Sequence, residues 1–297
     1  MNQISHTTMR SSAVQAAFYM VAAGAVFALV NLSTQYLGMR LGMPSTSTTF
    51  WQYAVALAVC LPWLVKTGLG VLRTKQPVLH ILRVICAALG VQAWVAGLVH
   101  VPIWQAIALI MTSPFFVTIG ASLFLDERVG AQRLSATMAG FVGGMIILAP
   151  WSDAFSVHAL LPVLAAAFWA ATSLFTKKLT GQEPAETVTV FLLILLTPIN
   201  AVLAFSNGIV IPTGDALWLI VFAGVMTAIA QWLIALAYAT ADAAYVQPFD
   251  HVKLPFNVLG GWIVFGYIPG GQLWIGAALI VAASLFIMQQ EKRLSVV

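Results

Sequence analysis

The stretch Tyr245–Gly261 reads YVQPFDHVKLPFNVLGG and lies in an apolar segment that runs from about residue 243 to about residue 265. Such a segment is long enough to cross a bilayer, yet Asp250, His251 and Lys253 lie near its middle. A charge at the membrane centre costs roughly 2.5–3.5 kcal/mol on insertion scales. The polar side of this segment therefore has to face protein or a water-filled cavity, which marks it as a functional site.

Two prolines interrupt the same segment. Pro248 and Pro255 each lack a backbone donor, so in a continuous helix each would leave a carbonyl one turn earlier without its hydrogen bond. At helical spacing the polar positions and a glycine fall within one broad stripe. This stripe consists of Gln247, Asp250, Lys253, Asn257 and Gly261. We therefore expect a kinked helix with one polar side.

Composition places the chain among polytopic membrane proteins. Of its 297 residues, 61% are hydrophobic and 7% are charged, which is far from the composition of a soluble domain. The net charge of +4 comes from scattered basic residues, so it does not indicate a nucleic-acid partner. The sequence has no His/Cys cluster at metal-ligand spacing and no phosphate-binding glycine loop. We expect a lipid bilayer around the protein, and no metal, no cofactor and no catalytic residue.

Hydropathy predicts ten membrane spans joined by short turns. The predicted spans are 17–37, 48–66, 79–99, 102–124, 132–149, 157–176, 187–206, 214–237, 243–265 and 272–289. Eleven Lys and Arg residues, Arg83 among them, are assigned to the side that holds both termini, and only Arg40 to the other side. Because basic loops stay in the cytoplasm, both termini are predicted to be cytoplasmic.

The two halves of the chain resemble each other. Pro114-Phe115-Phe116-Val117 compares with Pro255-Phe256-Asn257-Val258 at an offset of 141 residues. Five spans per half is an odd number, which turns the second half upside down relative to the first. We therefore expect an all-α protein made of two inverted five-helix repeats, 1–150 and 151–297, around a central cavity. Pro114 and Pro255 are then matched breaks in spans four and nine.

These elements resemble a known family. The first half has Pro114-Phe115-Phe116-Val117, then Phe124-Leu125-Asp126-Glu127-Arg128 and a glycine-rich fifth span, and the second half has Leu254-Pro255 and Gly276-Ala277-Ala278-Leu279-Ile280. Together they resemble the drug/metabolite transporter superfamily, more narrowly the EamA-type exporters with ten helices. Length and the ninth span are most similar to the YddG-type exporters. The resemblance implies export of aromatic and other neutral amino acids across a bacterial inner membrane by alternating access.

The candidate substrate-binding residues are mostly polar side chains that need polar or wet surroundings inside a membrane. They are Lys253, Asp250, Gln247, Asn257, Gln231, Tyr238, Gln105, Thr112 and Trp169. We expect spans three, four, eight and nine, helped by one and six, to surround them. Lys253 is compatible with three roles: a structural pair with Asp250 three residues earlier, a site for a substrate carboxylate, and a proton relay.

The sequence thus predicts a secondary exporter of amino acids and related small metabolites, with or without coupling to protons. One alternative is a multidrug exporter of lipophilic or cationic compounds, and another is a channel or a membrane scaffold that transports nothing. An intramembrane enzyme would need an acid–base or metal set that converges near one face. No such set is evident in the sequence.

Overall fold

The computed structural model describes residues 2–98, 100, 103–110, 112–125, 130–148, 156–246, 249–250, 253–266 and 271–294. Within these ranges the chain is helical and contains no strand. The α-helices are α1 (Asn2–Met39), α2 (Ser45–Thr67), α3 (Pro77–Leu98), α4 (Ile103–Ile110), α5 (Ser113–Phe124), α6 (Ala131–Leu148), α7 (Leu160–Thr180), α8 (Ala185–Ser206), α9 (Asp215–Thr240), α10 (Ala243–Val246), α11 (Lys253–Phe265) and α12 (Gly271–Leu294).

Seven segments of the described chain are long and apolar enough to cross a membrane. They are Ala13–Met39, Ser45–Thr67, Pro77–Trp94, Ala106–Phe124, Val157–Thr180, Ala185–Ser206 and Asp215–Thr240. The other three predicted spans coincide with α6, with α10 and α11, and with α12. The prediction of an all-α polytopic membrane protein is confirmed, and the count of ten spans stays a prediction.

Prolines and glycines fix the ends of several helices. Helices α2 and α8 begin directly after Pro44 and Pro184. The residue before a proline avoids the helical region of backbone angles, so neither helix extends further toward the N-terminus. α2 ends before Gly68, which adopts a φ of 84° and donates its N–H to the carbonyl of Leu64. Glycine is the residue that takes such a conformation without steric cost.

Several contacts between helices have a counterpart in which each helix is replaced by the equivalent helix of the other half of the chain. α1 packs on α9, and α7 packs on α3. Likewise α11 packs on α1 and α5 on α7, while α2 packs on α9 and α8 on α3. Two further contacts join helices at equivalent positions, α2 with α8 and α6 with α12. This is the pattern expected of two structurally similar halves.

Two of the predicted spans are each divided into two helices. Predicted span four is divided into α4 and α5, and predicted span nine into α10 and α11. Pro114 lies in the first turn of α5, for which Thr112 is the N-cap residue, and Pro255 lies in the first turn of α11. A first-turn proline removes no helical hydrogen bond, so each proline starts a second helix rather than kinking a continuous one. Pro248 lies outside the described residues.

Gly224 lets α9 approach α2 closely. A Cβ at position 224 would lie 2.5 Å from the Cβ of Val55 and 2.9 Å from the carbonyl oxygen of Gln52. Because a backbone atom cannot rotate away, we expect Gly224→Ala to lower the free energy of unfolding by about 1–3 kcal/mol. Denaturation of the purified protein in detergent measures this change.

The matched control for this variant is Gly140→Ala in α6. A Cβ at position 140 meets no atom within 4 Å, so this variant should be as stable as the wild type or slightly more stable. If Gly224→Ala unfolds at the same denaturant concentration as Gly140→Ala, the close approach of α2 and α9 is wrong.

Candidate binding cavity between the helices

A cavity of about 450 Å³ lies between the helices. Its described wall comes from α1, α2, α3, α4, α5, α7, α8, α9 and α11, with Asp250 from the segment just ahead of α11. A cavity of this size is within the range of about 300–1,000 Å³ that is usual for sites of drug-sized ligands. The cavity is therefore large enough to hold a small metabolite.

Six of the nine predicted site residues line this cavity. They are Trp169, Gln231, Tyr238, Asp250, Lys253 and Asn257. Thr112 is buried but is not among the lining residues, and its hydroxyl donates to the carbonyl of Leu109 at 2.8 Å. That local bond satisfies the hydroxyl without a ligand. The side chain of Gln105 and the whole of Gln247 lie outside the described residues.

Lys253 forms an ion pair with Asp250, as one of its three predicted roles requires. The ammonium Nζ donates to Oδ2 of Asp250, and the two side chains are 19% and 15% exposed. The backbone of Lys253 lies close to α1, since a Cβ at Gly24 would be 3.4 Å from the backbone nitrogen of Lys253. The start of α11 is thus fixed against α1, and the two opposite charges cancel each other at the cavity wall.

Asn257 connects α11 to α1. Its Nδ2 donates to the carbonyl of Lys253 at 2.7 Å, and its Oδ1 accepts from Nδ2 of Asn31 at 3.1 Å. Because both polar atoms of its amide are engaged, Asn257 holds the first turns of α11 in place. It is better described as a positioning residue than as a free ligand group.

α2 contributes a polar part of the wall that the sequence analysis did not single out. Its lining side chains include Thr48, Gln52 and Tyr53. Nε2 of Gln52 donates to the hydroxyl of Thr227 at 2.8 Å, and the Tyr53 phenol interacts with the side chain of Gln231. Thr48 and Gln52 are four residues apart in an apolar segment. Since an amide facing lipid is costly, that spacing was a usable signal.

Arg83 lines the cavity rather than lying with the basic residues of the cytoplasmic side, where the positive-inside count had placed it. The sequence analysis placed it among the cytoplasmic basic residues, whereas α3 begins at Pro77 and carries Arg83 in its second turn. Its side chain lines the cavity and is 1% exposed. Nη1 donates to the carbonyl of Val188 on α8 at 2.7 Å. The cavity thereby gains a cation that the positive-inside count had placed on the cytoplasmic side.

Three buried polar atoms of the cavity wall have no hydrogen-bond partner. They are Nε2 of Gln35, Oγ1 of Thr48 and Nε of Arg83. Among the described residues a fourth such atom, Nδ2 of Asn200, belongs to a side chain outside the wall. Leaving a buried polar group unpaired costs roughly 1–3 kcal/mol. Because the three side chains line the cavity, these atoms are candidate partners for the polar atoms of a ligand.

Aromatic side chains form another part of the wall. The ring centroids of Trp94 on α3 and Trp169 on α7 are 6.0 Å apart, with the ring planes inclined by 48°. Gly90 makes room for this arrangement, because a Cβ there would lie 2.5 Å from Cδ1 and Nε1 of Trp169. Tyr53 and Tyr238 also line the cavity. These side chains offer a flat apolar ligand both ring faces and ring edges.

A family model described as the EamA-like transporter family matches residues 14–149 and 157–289. This chain belongs to the EamA-like transporter family. The transporter is 59% identical to a protein named riboflavin transporter from Rhizobium johnstonii, over 99% of this chain and 97% of that one. It is 52% identical to a riboflavin transporter from Vibrio cholerae, over 95% of each chain.

Weaker similarity extends to one further transporter and to one solved structure. An S-adenosylmethionine uptake transporter from Rickettsia bellii is 30% identical over 89% of each chain. One solved crystal structure matches 96% of this transporter and 99% of its own chain, with a TM-score of 0.74 and 20% identity. At that identity the likeness concerns the fold alone.

The family and the relatives confirm the coarser predictions. The chain is a multi-pass membrane transporter of small metabolites and not an enzyme, and its resemblance to the drug/metabolite transporter superfamily is confirmed. The finer assignment to the YddG-type exporters of aromatic amino acids finds no support. These relatives are named for riboflavin and S-adenosylmethionine instead.

Proposed function

We propose that this transporter carries riboflavin across the bacterial inner membrane. The observation that supports this most strongly is the 59% identity, over nearly the whole chain, to a protein named riboflavin transporter. A hydrophobic pocket discriminates weakly between ligands of similar size, whereas polar groups in the wall discriminate strongly. The residues of the cavity therefore have to suit the chemistry of riboflavin as well.

Riboflavin combines a flat tricyclic ring with a chain of four hydroxyl groups and has no net charge at neutral pH. Trp94 and Trp169 can contact the faces of such a ring. Gln35 and Thr48 have unpaired polar atoms that the hydroxyl chain can satisfy. The wall thus offers one kind of surface for each part of the molecule.

The charges of the wall favour riboflavin over the other candidate substrates. Among the described lining residues, only Arg83, Asp250 and Lys253 are charged. An amino acid would need a separate partner for its carboxylate, which Arg83 can supply, and for its ammonium, but the one described carboxylate of the wall, Asp250, is paired with Lys253. A lipophilic cation would need an unpaired carboxylate in the wall. Amino-acid export and export of cationic drugs are therefore the weaker candidates.

We further propose alternating access between two inverted repeats, 1–150 and 151–297, with both termini in the cytoplasm. The paired contacts α1–α9 with α3–α7 and α5–α7 with α1–α11 support the repeat. The division of spans four and nine into two helices each is a feature of transporters with sites near the midplane. Moving Arg83 into the cavity leaves the basic residues at ten to one in favour of cytoplasmic termini.

Growth of a riboflavin-auxotrophic bacterium tests the proposed substrate. We expect cells that produce the transporter to grow at lower external riboflavin than cells with an empty vector. Their sensitivity to toxic amino-acid analogues should be unchanged. Protection from those analogues without any gain in growth on riboflavin would contradict the proposal and favour amino-acid export.

We expect Gly90→Ala to weaken the apparent affinity for riboflavin about tenfold, because overpacking by one methyl costs about 1–3 kcal/mol. The added Cβ would displace the indole ring of Trp169, which can rotate, so the variant should still fold. Uptake of radiolabelled riboflavin at graded concentrations measures the change, with Gly140→Ala as the control. Equal half-saturation concentrations in the two variants would show that Trp169 does not contact the ligand.

A further inference from the structure

We propose that Arg83 recognises the dioxopyrimidine edge of the flavin ring and is the specificity-determining residue of the cavity. The inference rests on the proposed transport of riboflavin and assigns one end of that ligand to one side chain.

Arg83 is a buried donor that is only partly satisfied. The side chain is 1% exposed, Nη1 donates to the carbonyl of Val188 at 2.7 Å, and Nε has no partner. A guanidinium group has five N–H donors and no acceptor. Whatever completes its hydrogen bonding in the cavity must therefore present acceptor atoms.

No carboxylate of the described wall is free to serve Arg83. The described lining includes one acidic residue, Asp250, and that carboxylate is paired with Lys253. The side chains that interact with the guanidinium electrostatically include Tyr53 and Tyr238, which carry hydroxyls rather than carboxylates, and His80, three residues earlier on α3. None of these groups is bonded to Nε, and we assign acceptor atoms of the ligand to it.

Arg83 lies at one end of the side of α3 that lines the cavity. Arg83, Ala87, Val91 and Trp94 all line the cavity, and their spacings of four, four and three residues put them on one side of the helix. At a rise of 1.5 Å per residue, Arg83 and Trp94 are about 16 Å apart along the axis. The two lining residues between them, Ala87 and Val91, are small or medium-sized, so a flat ring can lie along this side of α3.

The flavin ring has the matching polarity along its own length. One end is a dimethylbenzene ring without polar atoms. The other has two carbonyl oxygens, each near a ring nitrogen that accepts hydrogen bonds (N1 and N5), while N3 between the carbonyls carries an N–H donor. We place the benzenoid end against Trp94 and Trp169, and the carbonyl edge at Arg83. An arginine suits this edge because its planar N–H fork matches neighbouring acceptors, which a lysine ammonium does not.

Binding measurements on the purified full-length protein test the assignment with two ligands. Riboflavin carries the ring and the hydroxyl chain, whereas lumiflavin carries the same isoalloxazine ring with a methyl group in place of the chain. We expect Arg83→Lys, which keeps the charge but lacks Nε, to weaken both ligands by a similar factor of about ten to a hundred. The control is Asn200→Ala, which removes an unpaired buried donor outside the wall and should leave both affinities unchanged.

Three results would overturn the assignment. The first is a folded Arg83→Lys protein with wild-type affinity for both ligands. The second is a loss for riboflavin with none for lumiflavin, which would place Arg83 at the hydroxyl chain. The third concerns the wild-type protein and needs no variant: 2-thioriboflavin and 4-thioriboflavin each replace one carbonyl oxygen by a weaker acceptor. We expect one of them to bind about tenfold more weakly than riboflavin, and equal binding of all three would exclude the contact.

The proposed function can fail separately from this assignment. If the wild-type protein binds neither riboflavin nor lumiflavin, riboflavin is not the substrate and the assignment falls with it. If the wild type binds and transports riboflavin but Arg83→Lys behaves like Asn200→Ala, the function stands and the role of Arg83 is refuted.

Discussion

Replacing Lys253 by methionine is expected to lower the free energy of unfolding by about 3–5 kcal/mol, because the Asp250 carboxylate would stay buried without its partner. The two side chains are 19% and 15% exposed and paired with each other. Methionine keeps much of the apolar length of lysine, so the lost charge dominates the effect. Denaturation of the purified variant in detergent, followed by circular dichroism, measures the change.

A double variant separates the structural pair from a role in binding. Lys253→Met combined with Asp250→Asn removes both charges and should regain most of the lost stability. Riboflavin has no carboxylate, so we expect this double variant to transport it at close to the wild-type rate. A well-folded double variant that transports no riboflavin would show that the pair contacts the substrate or a coupled proton.

Lys178→Met is the matched control for the loss of a positive charge. Lys178 lies in the last turn of α7 and is exposed. A surface charge of this kind contributes about 0–1 kcal/mol. If Lys178→Met destabilises the protein as much as Lys253→Met, the buried ion pair is not the cause.

Glu183→Ala is expected to destabilise the protein by about 2–4 kcal/mol, because it leaves a buried histidine nitrogen unpaired and removes a hydroxyl hydrogen bond. Glu183 lies between α7 and α8, and its carboxylate accepts from the Thr74 hydroxyl and contacts Nε2 of His80 at 2.8 Å. The side chains of His80 and Glu183 are 2% and 10% exposed. His80 also stacks on Phe191 of α8, with ring centroids 4.3 Å apart. The cluster therefore joins the start of α3 to the turn before α8.

Glu186→Ala provides the comparison for this prediction. Glu186 lies in the first turn of α8 and accepts a weak hydrogen bond of 3.3 Å from the Trp232 indole. Removing a partly exposed acid at a helix N-terminus costs about 0.3–1 kcal/mol. Equal unfolding midpoints for Glu183→Ala and Glu186→Ala would refute the cluster as a stabilising element.

Much of the fold and part of the site follow from local sequence patterns. Spans are visible because about 20 apolar residues are needed to cross a membrane. The pair of Asp250 and Lys253 was predicted because it lies within one turn of a single element, where spacing determines contact. The position of Asn257 was predictable for the same reason, since it lies four residues after Lys253.

Arg83 shows what local sequence patterns cannot predict. A basic residue near the start of a predicted span usually reaches the membrane surface or lies in a loop, and nothing in its neighbourhood contradicts that reading. It is buried because the carbonyl of Val188, 105 residues later in the chain, accepts from its guanidinium. A contact of that kind depends on the packing of α3 against α8.

The substrate is even harder to predict from the sequence than the position of Arg83. The motifs around Pro114 and Pro255 specify the family, and members of a family with the same helices differ in the few side chains that meet the ligand. From the sequence, Lys253 was compatible with a structural pair with Asp250, with a site for a substrate carboxylate and with a proton relay. In the structure Lys253 and Asp250 neutralise each other, which agrees with the proposed transport of a neutral ligand.

Flux of riboflavin into liposomes that contain only the purified protein is the most direct test of the proposed function. We expect saturable riboflavin uptake that protein-free liposomes do not show, and we expect an excess of phenylalanine or tryptophan not to compete. Transport of these amino acids by liposomes that take up no riboflavin would contradict the proposal.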